Sequence, residues 1–197
     1  MIKFKSAMVM VLSLVLLAGN IAPAMAALVY DADTASWVDA STIKARSRAG
    51  SAIRKEIVDY SSNYKPGTIV IETGERRLYL VLDGGKAMKY GVGVGRDGFT
   101  WSGTHHITRK AEWPGWTPPP QMRQRVPDLP AYMPGGPDNP LGARALYIGS
   151  TLYRVHGTSE PRSIGLAVSS GCIRLTNEDV ADLYDRVDVG ALIVVNH

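Results

Sequence analysis

The stretch from Ile69 to Val94, IVIETGERRLYLVLDGGKAMKYGVGV, decides the fold class. Ile69 to Ile71 is a β-branched run. After Gly74, Arg77 to Leu82 is apolar on both faces, and Asp83-Gly84-Gly85 supplies turn chemistry before a further run from Ala87 to Val94. Runs this short, punctuated by glycine, are consecutive strands of a meander, and the tight Asp-Gly-Gly link is a hairpin. Just upstream, Pro66-Gly67 marks the entry to the globular part.

Toward the C-terminus, Ala145 to Ile148 and Thr151 to Val155 are strand-like runs separated by Gly149-Ser150. Thr176 stands three residues before Asp179 and is followed by Val180, Leu183, Tyr184 and Val187 at helical spacing, which predicts a capped amphipathic helix. Ala191 to Val195 closes the chain as a strand. Between these parts, from Gly95 to about Ala143, the pattern dissolves into Gly, Pro and Trp, including Trp113-Pro114-Gly115-Trp116 and Pro118-Pro119-Pro120. A connection that long in a compact domain is functional or disordered, and its aromatics argue against disorder. The fold class is therefore mainly β, with one clear helix on the C-terminal side.

The chain opens with Lys3 and Lys5, an apolar run from Ala7 to Ala18, and Ala24-Met25-Ala26, the pattern of a secretory leader over residues 1–26. The run is shorter than the roughly 20 residues of a spanning helix, and nothing later is longer, so no transmembrane anchor is expected once the leader is removed. Residues 27–66 are polar and rich in Ala, Ser and Arg, and read as an N-terminal arm. Within them Ile53, Ile57 and Tyr60 have the spacing of one face of a short helix between Ala49 and Tyr60. Residues 67–197 form the domain. Lys and Arg number 22 against 18 Asp and Glu, and two of the lysines lie in the leader. No basic block remains, so the electrostatic footprint of a nucleic-acid binder is missing.

Cys172 is the only cysteine. In an oxidising compartment a single thiol makes no internal bridge; it is an inert core residue, a partner in an intermolecular bridge, or a reactive residue. It lies in Ser169-Ser170-Gly171-Cys172-Ile173-Arg174-Leu175, just ahead of the Thr176 cap, where a helix N-terminus would favour a thiolate. The amides of Ser170, Gly171 and Cys172 fit an oxyanion hole, although Gly171 alone also fits an ordinary turn. His156 ends a strand-like run in Tyr153-Arg154-Val155-His156-Gly157-Thr158. The other histidines, His105, His106 and His197, lack this setting. No zinc-like ligand spacing accompanies the pair, so neither a metal nor another cofactor is expected.

The segment from His156-Gly157-Thr158 through Ser169-Ser170-Gly171-Cys172-Ile173-Arg174-Leu175 resembles the active-site signature of the L,D-transpeptidases, the YkuD-domain family, in its ErfK/YbiS-like branch. Trp101-Ser102-Gly103-Thr104, Trp113-Pro114 with the triple Pro, and Asn139-Pro140-Leu141-Gly142-Ala143-Arg144 extend the resemblance over roughly residues 67 to 196. Many family members carry a second His before the Gly-Cys pair and an Asn two residues after the Cys; here Ser170 and Arg174 stand there. The resemblance implies a β-sandwich or barrel-like catalytic domain acting on peptidoglycan stem peptides. Cys172 would be the nucleophile, His156 its base, and the Gly157 carbonyl the group that orients the ring.

The expected reaction expels D-Ala from a donor tetrapeptide, leaves a thioester on Cys172, and passes the acyl group to an amine of a second stem or of an envelope protein. Arg174 fits a substrate carboxylate or an acid on the following helix, and Ser169 fits a brace for the loop or a direct chemical role. The Pro/Trp segment is either a rigid surface loop or a lid that keeps water from the thioester, with Trp113, Trp116, Tyr132 and Met133 as wall residues. Two rival functions remain at this stage, a carboxypeptidase using water as acceptor and a non-catalytic wall-binding module with a buried Cys172.

Overall fold

The computed structural model describes residues 28–31, 36–39 and 53–197. Two strands, β1 (Leu28–Asp31) and β2 (Ser36–Asp39), pair antiparallel with each other. The domain itself contains β3 (Glu56–Asp59), β4 (Ile69–Glu72), β5 (Arg77–Leu82), β6 (Lys86–Gly91), β7 (Val94–Gly95) and β8 (Gly103–Glu112). There follow a short helix α1 (Pro120–Arg125), strands β9 (Arg144–Ile148), β10 (Arg154–His156), β11 (Ala167–Ser169) and β12 (Ile173–Arg174), helix α2 (Asn177–Arg186) and β13 (Leu192–Asn196). The expected leader, residues 1–26, lies outside the described residues. Among those described, no helix is long and apolar enough to cross a membrane.

The protein is mainly β. Nine strands form one sheet in the order β12-β10-β9-β8-β13-β4-β5-β6-β3, with β11 paired to β7 beside it. The meander predicted from Ile69 onward is β4-β5-β6, antiparallel throughout. Its entry is a turn in which the Thr68 amide donates to the Lys65 carbonyl, with Gly67 at φ 87°. The turn needs positive φ at Gly67, which glycine adopts without strain, and Pro66 favours the φ of the position before it.

The sheet curls around α2. Val180, Leu183 and Val187 of the helix are buried in one core with Ile69, Leu78, Tyr90, Leu146 and Val155 from strands far apart in the sheet order. Tyr90 of β6 donates from its hydroxyl to Asp182 of α2 at 2.7 Å, while β9 and β10 contact the same helix from the other end of the sheet. The Gly93 amide bonds the Arg174 carbonyl and the Arg174 amide bonds the Gly93 carbonyl, each at 2.9 Å, so the segment after β6 meets the β12 edge. Each fully buried aliphatic or aromatic side chain adds about 1.5–3 kcal/mol, and the helix and sheet share that burial.

Two sequence expectations are corrected. Over Ala49–Tyr60 the spacing predicts a helix, yet Glu56–Asp59 is an edge strand and residues 49–52 lie outside the described part. Ile57 is 61 % exposed, so its apolar face has no core to meet. The segment instead pairs its backbone with the edge of β6, and along that ladder Glu56 meets Lys89 at 2.7 Å and Asp59 meets Lys86 at 2.5 Å. The second correction falls in the Pro-rich connection, which contains β8, the longest strand described. Its sequence, GTHHITRKAE, is polar enough to hide the pattern, and only Ile107 is fully buried. Both its neighbours, β13 and β9, supply the pairing that its side chains do not advertise.

Candidate active site

Strand β10 lies between β9 and β12, antiparallel to the first and parallel to the second. The parallel register sets Val155 opposite Ile173 and His156 opposite Arg174. One step back, Arg154 of β10 is level with Cys172, the loop residue that leads into β12. Side chains alternate along a strand, so the buried Val155 and Ile173 face the core while Arg154, His156, Cys172 and Arg174 share the other face. All four line one cavity of about 360 Å³.

The Cys loop is held by side chains. Ser169, buried, donates to the Cys172 carbonyl at 2.6 Å and accepts from the Gly171 amide at 3.1 Å. Both bonds tie Ser169 to the loop, and its side chain also lines the cavity. The second bond engages the Gly171 amide, one of the three expected oxyanion donors. Gly171 has φ 103°, and a Cβ there would lie 2.4 Å from Cε1 of Tyr153. Only glycine fits on both counts. Trp101 completes the clamp, donating from Nε1 to the Gly171 carbonyl at 2.7 Å and stacking on Tyr153 with centroids 4.5 Å apart.

Cys172 lies in a loop ahead of α2, as expected, but the loop does not run straight into the helix. Strand β12 and Leu175 intervene, and the Thr176 hydroxyl caps α2 by accepting from the Asp179 amide at 3.0 Å. The positive influence on the sulfur comes from Arg154. Burial pushes the Cys172 thiol up, and the guanidinium and backbone amide of Arg154 oppose that shift. The sequence reading overlooked Arg154, although it stands two residues before His156 in a strand and so must share its face.

His156 is 3 % exposed, with Nδ1 2.5 Å from the Gly157 carbonyl. A carbonyl only accepts, so Nδ1 carries the proton and, in the neutral ring, Nε2 bears the lone pair. Burial lowers the imidazole to about 4; the Gly157 and Leu141 carbonyls oppose this, and the charge of Arg154 adds to it. Thiol and imidazole are therefore both neutral at rest near pH 7. Gly157 cannot carry a side chain, because a Cβ would meet Oδ1 of Asn177 at 2.3 Å.

The Pro/Trp segment supplies one wall of the cavity. Trp116 lines it together with Pro119, Met122, Arg125, Pro140 and Leu141. Met133 stands behind Trp116, and the two exchange backbone hydrogen bonds at 2.8 Å within a small cluster that includes Leu129 and Leu141. Trp113 and Tyr132 are 44 % and 59 % exposed and lie outside the lining. Three arginines, Arg125, Arg154 and Arg174, border the cavity and no acidic side chain does. Among the described residues no group of three His, Cys, Asp or Glu side chains converges.

Comparison with known proteins places this arrangement. Residues 66–195 match the family model of the L,D-transpeptidase catalytic domain, YkuD. A protein of Escherichia coli K12 named as a probable L,D-transpeptidase, ErfK/SrfK, is 43 % identical over 136 residues, covering 64 % of this chain and 43 % of its own. This chain thus spans less than half the length of that relative. A crystal structure from Brucella melitensis, of a protein named as a probable carnitine operon oxidoreductase, is 43 % identical with a TM-score of 0.52, over 74 % of this chain and 95 % of that one. L,D-transpeptidase 3 of Mycobacterium tuberculosis, solved with a faropenem-derived adduct, shares the fold at 21 % identity and a TM-score of 0.53, over 66 % of this chain and 60 % of that one. With two thirds of its length inside the family model and the signature residues gathered around one cavity, the chain belongs to the L,D-transpeptidase catalytic domain family.

Proposed function

We propose that the protein is an exported peptidoglycan L,D-transpeptidase with Cys172 as nucleophile and His156 as base. The supporting observation is that both side chains face one cavity, His156 from the end of β10 and Cys172 from the loop that leads into the parallel β12, with the His156 tautomer set by the Gly157 carbonyl. The Cys172 thiol proton passes to Nε2, and the sulfur attacks the carbonyl that joins the L-centre of diaminopimelate to D-Ala in a donor tetrapeptide. The amides of Ser170 and Cys172 stabilise the oxyanion, since Ser169 already engages Gly171. The C–N bond then breaks, the imidazolium protonates the departing D-Ala amine, and a thioester remains. An acceptor amine attacks the thioester, losing its proton to His156, and the Cys172 sulfur leaves.

Arg174, buried at the cavity wall opposite His156, holds a carboxylate of the donor. The wall built on Trp116 keeps water from the thioester, so that an amine resolves it. The amine belongs to a second stem peptide or to an envelope protein. Residues 1–26 act as the leader that takes the chain to the periplasm, where the donor is found, and residues 67–197 as the catalytic domain with 27–66 as its arm.

Incubation with tetrapeptide muropeptides tests the reading. Cross-linked dimers or exchange of the terminal residue are expected; tripeptide alone would mean hydrolysis. A carbapenem should give a stoichiometric adduct by intact mass that disappears in Cys172→Ala. A folded wild-type protein that stays unmodified would identify a binding module.

A further inference from the structure

We propose that Arg154 is a catalytic residue of this site: its guanidinium faces the Cys172 sulfur from the same side of β10 as His156 and carries the countercharge of the thiolate. The inference rests on the reading of Cys172 as nucleophile and deepens it.

The placement follows from register. Because Val155 pairs with Ile173 in parallel, Arg154 stands level with Cys172, and both turn away from the core into the cavity. The Arg154 backbone amide and guanidinium both lie beside the sulfur. The long side chain is not free to swing away. Arg154 also lies opposite Tyr147 of β9, which lies opposite Arg109 of β8; the Tyr147 ring has the Arg109 guanidinium 3.5 Å from its centroid and that of Arg154 at 5.2 Å. One Arg154 nitrogen donates to the Leu152 carbonyl at 3.2 Å. Its Nε is buried and has no hydrogen-bond partner among the described residues.

A buried guanidinium N–H without an acceptor is costly, and a neutral thiol is a poor acceptor. A thiolate is a good one. When the S–H bond breaks, the proton goes to Nε2 of His156, the electron pair stays on sulfur, and Arg154 keeps all its protons while donating to the new anion. The other titratable or charged groups at the cavity are His156 and Tyr153 beside it on the same chain segment, Arg174 on β12, and Arg125 on α1. None is an acid, so nothing at the cavity wall competes with the sulfur for the Arg154 charge. The competing anion is a carboxylate of the donor, and a probe without a carboxylate separates the two.

Iodoacetamide is such a probe, and the single cysteine makes intact mass an unambiguous readout. The rate of Cys172 alkylation between pH 5 and 10 should follow a thiol titration in the wild type. In Arg154→Met the midpoint should rise by about one unit, with alkylation at pH 7 roughly tenfold slower, and Arg154→Lys should restore most of the difference. Circular dichroism and melting of each variant check folding, and Arg154→Gln replaces Arg154→Met if the latter does not fold. A folded neutral variant with the wild-type midpoint overturns the proposal, including the case in which only donor binding weakens. Failure of the transpeptidase reading shows elsewhere, as absence of a carbapenem adduct on the wild type while the alkylation midpoint still depends on Arg154.

Discussion

The indole nitrogen of Trp101 donates to the carbonyl of Gly171 at 2.7 Å, across 70 positions of sequence. The same indole stacks on Tyr153, one residue before Arg154, with the rings 3° from parallel. One side chain thus fixes the Cys loop relative to the strand that carries His156. Trp101→Phe keeps the stack and removes the bond. The expected stability loss is about 1 kcal/mol, whereas acylation by a carbapenem should slow about tenfold, because a misplaced nucleophile costs more than a lost neutral hydrogen bond. Stopped-flow acylation beside thermal melting reads the two effects separately.

Gly171→Ala should abolish acylation by more than a hundredfold. The new methyl group meets Tyr153, and the backbone at φ 103° disfavours any L side chain regardless of space. Adding Tyr153→Ala removes the collision but not the backbone strain, so the double variant should recover only partly. Full recovery in the double variant would assign the effect to packing alone.

The burial of His156 makes stability depend on pH in a defined window. Its folded value is about 4 and that of an unfolded histidine about 6.5. Between these the unfolded chain binds the additional proton, so the contribution is present above pH 6.5 and is lost as pH falls toward 4. The full effect is at most about 3 kcal/mol. Melting temperatures at pH 7, 6 and 5 should fall more steeply for the wild type than for His156→Gln, which has no proton to bind.

Tyr90 is fully buried, and its hydroxyl reaches Asp182 on α2. Burial raises the Asp182 carboxyl, but hydrogen bonds from Arg186 and Tyr90 and the charge of Lys55 outweigh it and keep the group below the usual carboxylate range. Tyr90→Phe leaves a partly exposed carboxylate that water and Arg186 still satisfy. The expected cost is about 1–2 kcal/mol, a shift of roughly 3–6 °C in Tm, with acylation of Cys172 unchanged.

The parts legible in the sequence are those where one face is apolar. The β4-β5-β6 meander shows because Ile69, Ile71, Leu78 and Leu80 are all buried and Gly84-Gly85 closes the hairpin. Helix α2 shows because Thr176, Val180 and Leu183 supply a cap and a stripe. Strand β8 stays hidden because both its edges are paired while most of its side chains are polar and at least partly exposed. Strand β3 is misread because two isoleucines at helical spacing outweigh a charge ladder whose other half, Lys86 and Lys89, is far along the chain. At the site, Cys172 and His156 stand out through their motif, but the reason they meet is a register between two- and three-residue strands too short to leave a pattern. Arg154 was within reach, since counting back two from His156 on a strand names it.

That short parallel ladder has a consequence for how the protein comes alive. Shifting β12 by a single residue against β10 would turn Cys172 and Arg174 toward the helix and put Ile173 in the cavity, exchanging a buried core contact for a buried charge. Misregistered forms are therefore penalised by the same step that disarms them. Until β10 and β12 zip together, the thiol has neither His156 nor Arg154 beside it. The setting of this cysteine is latent in the chain: it exists only where the ladder has closed in this one register.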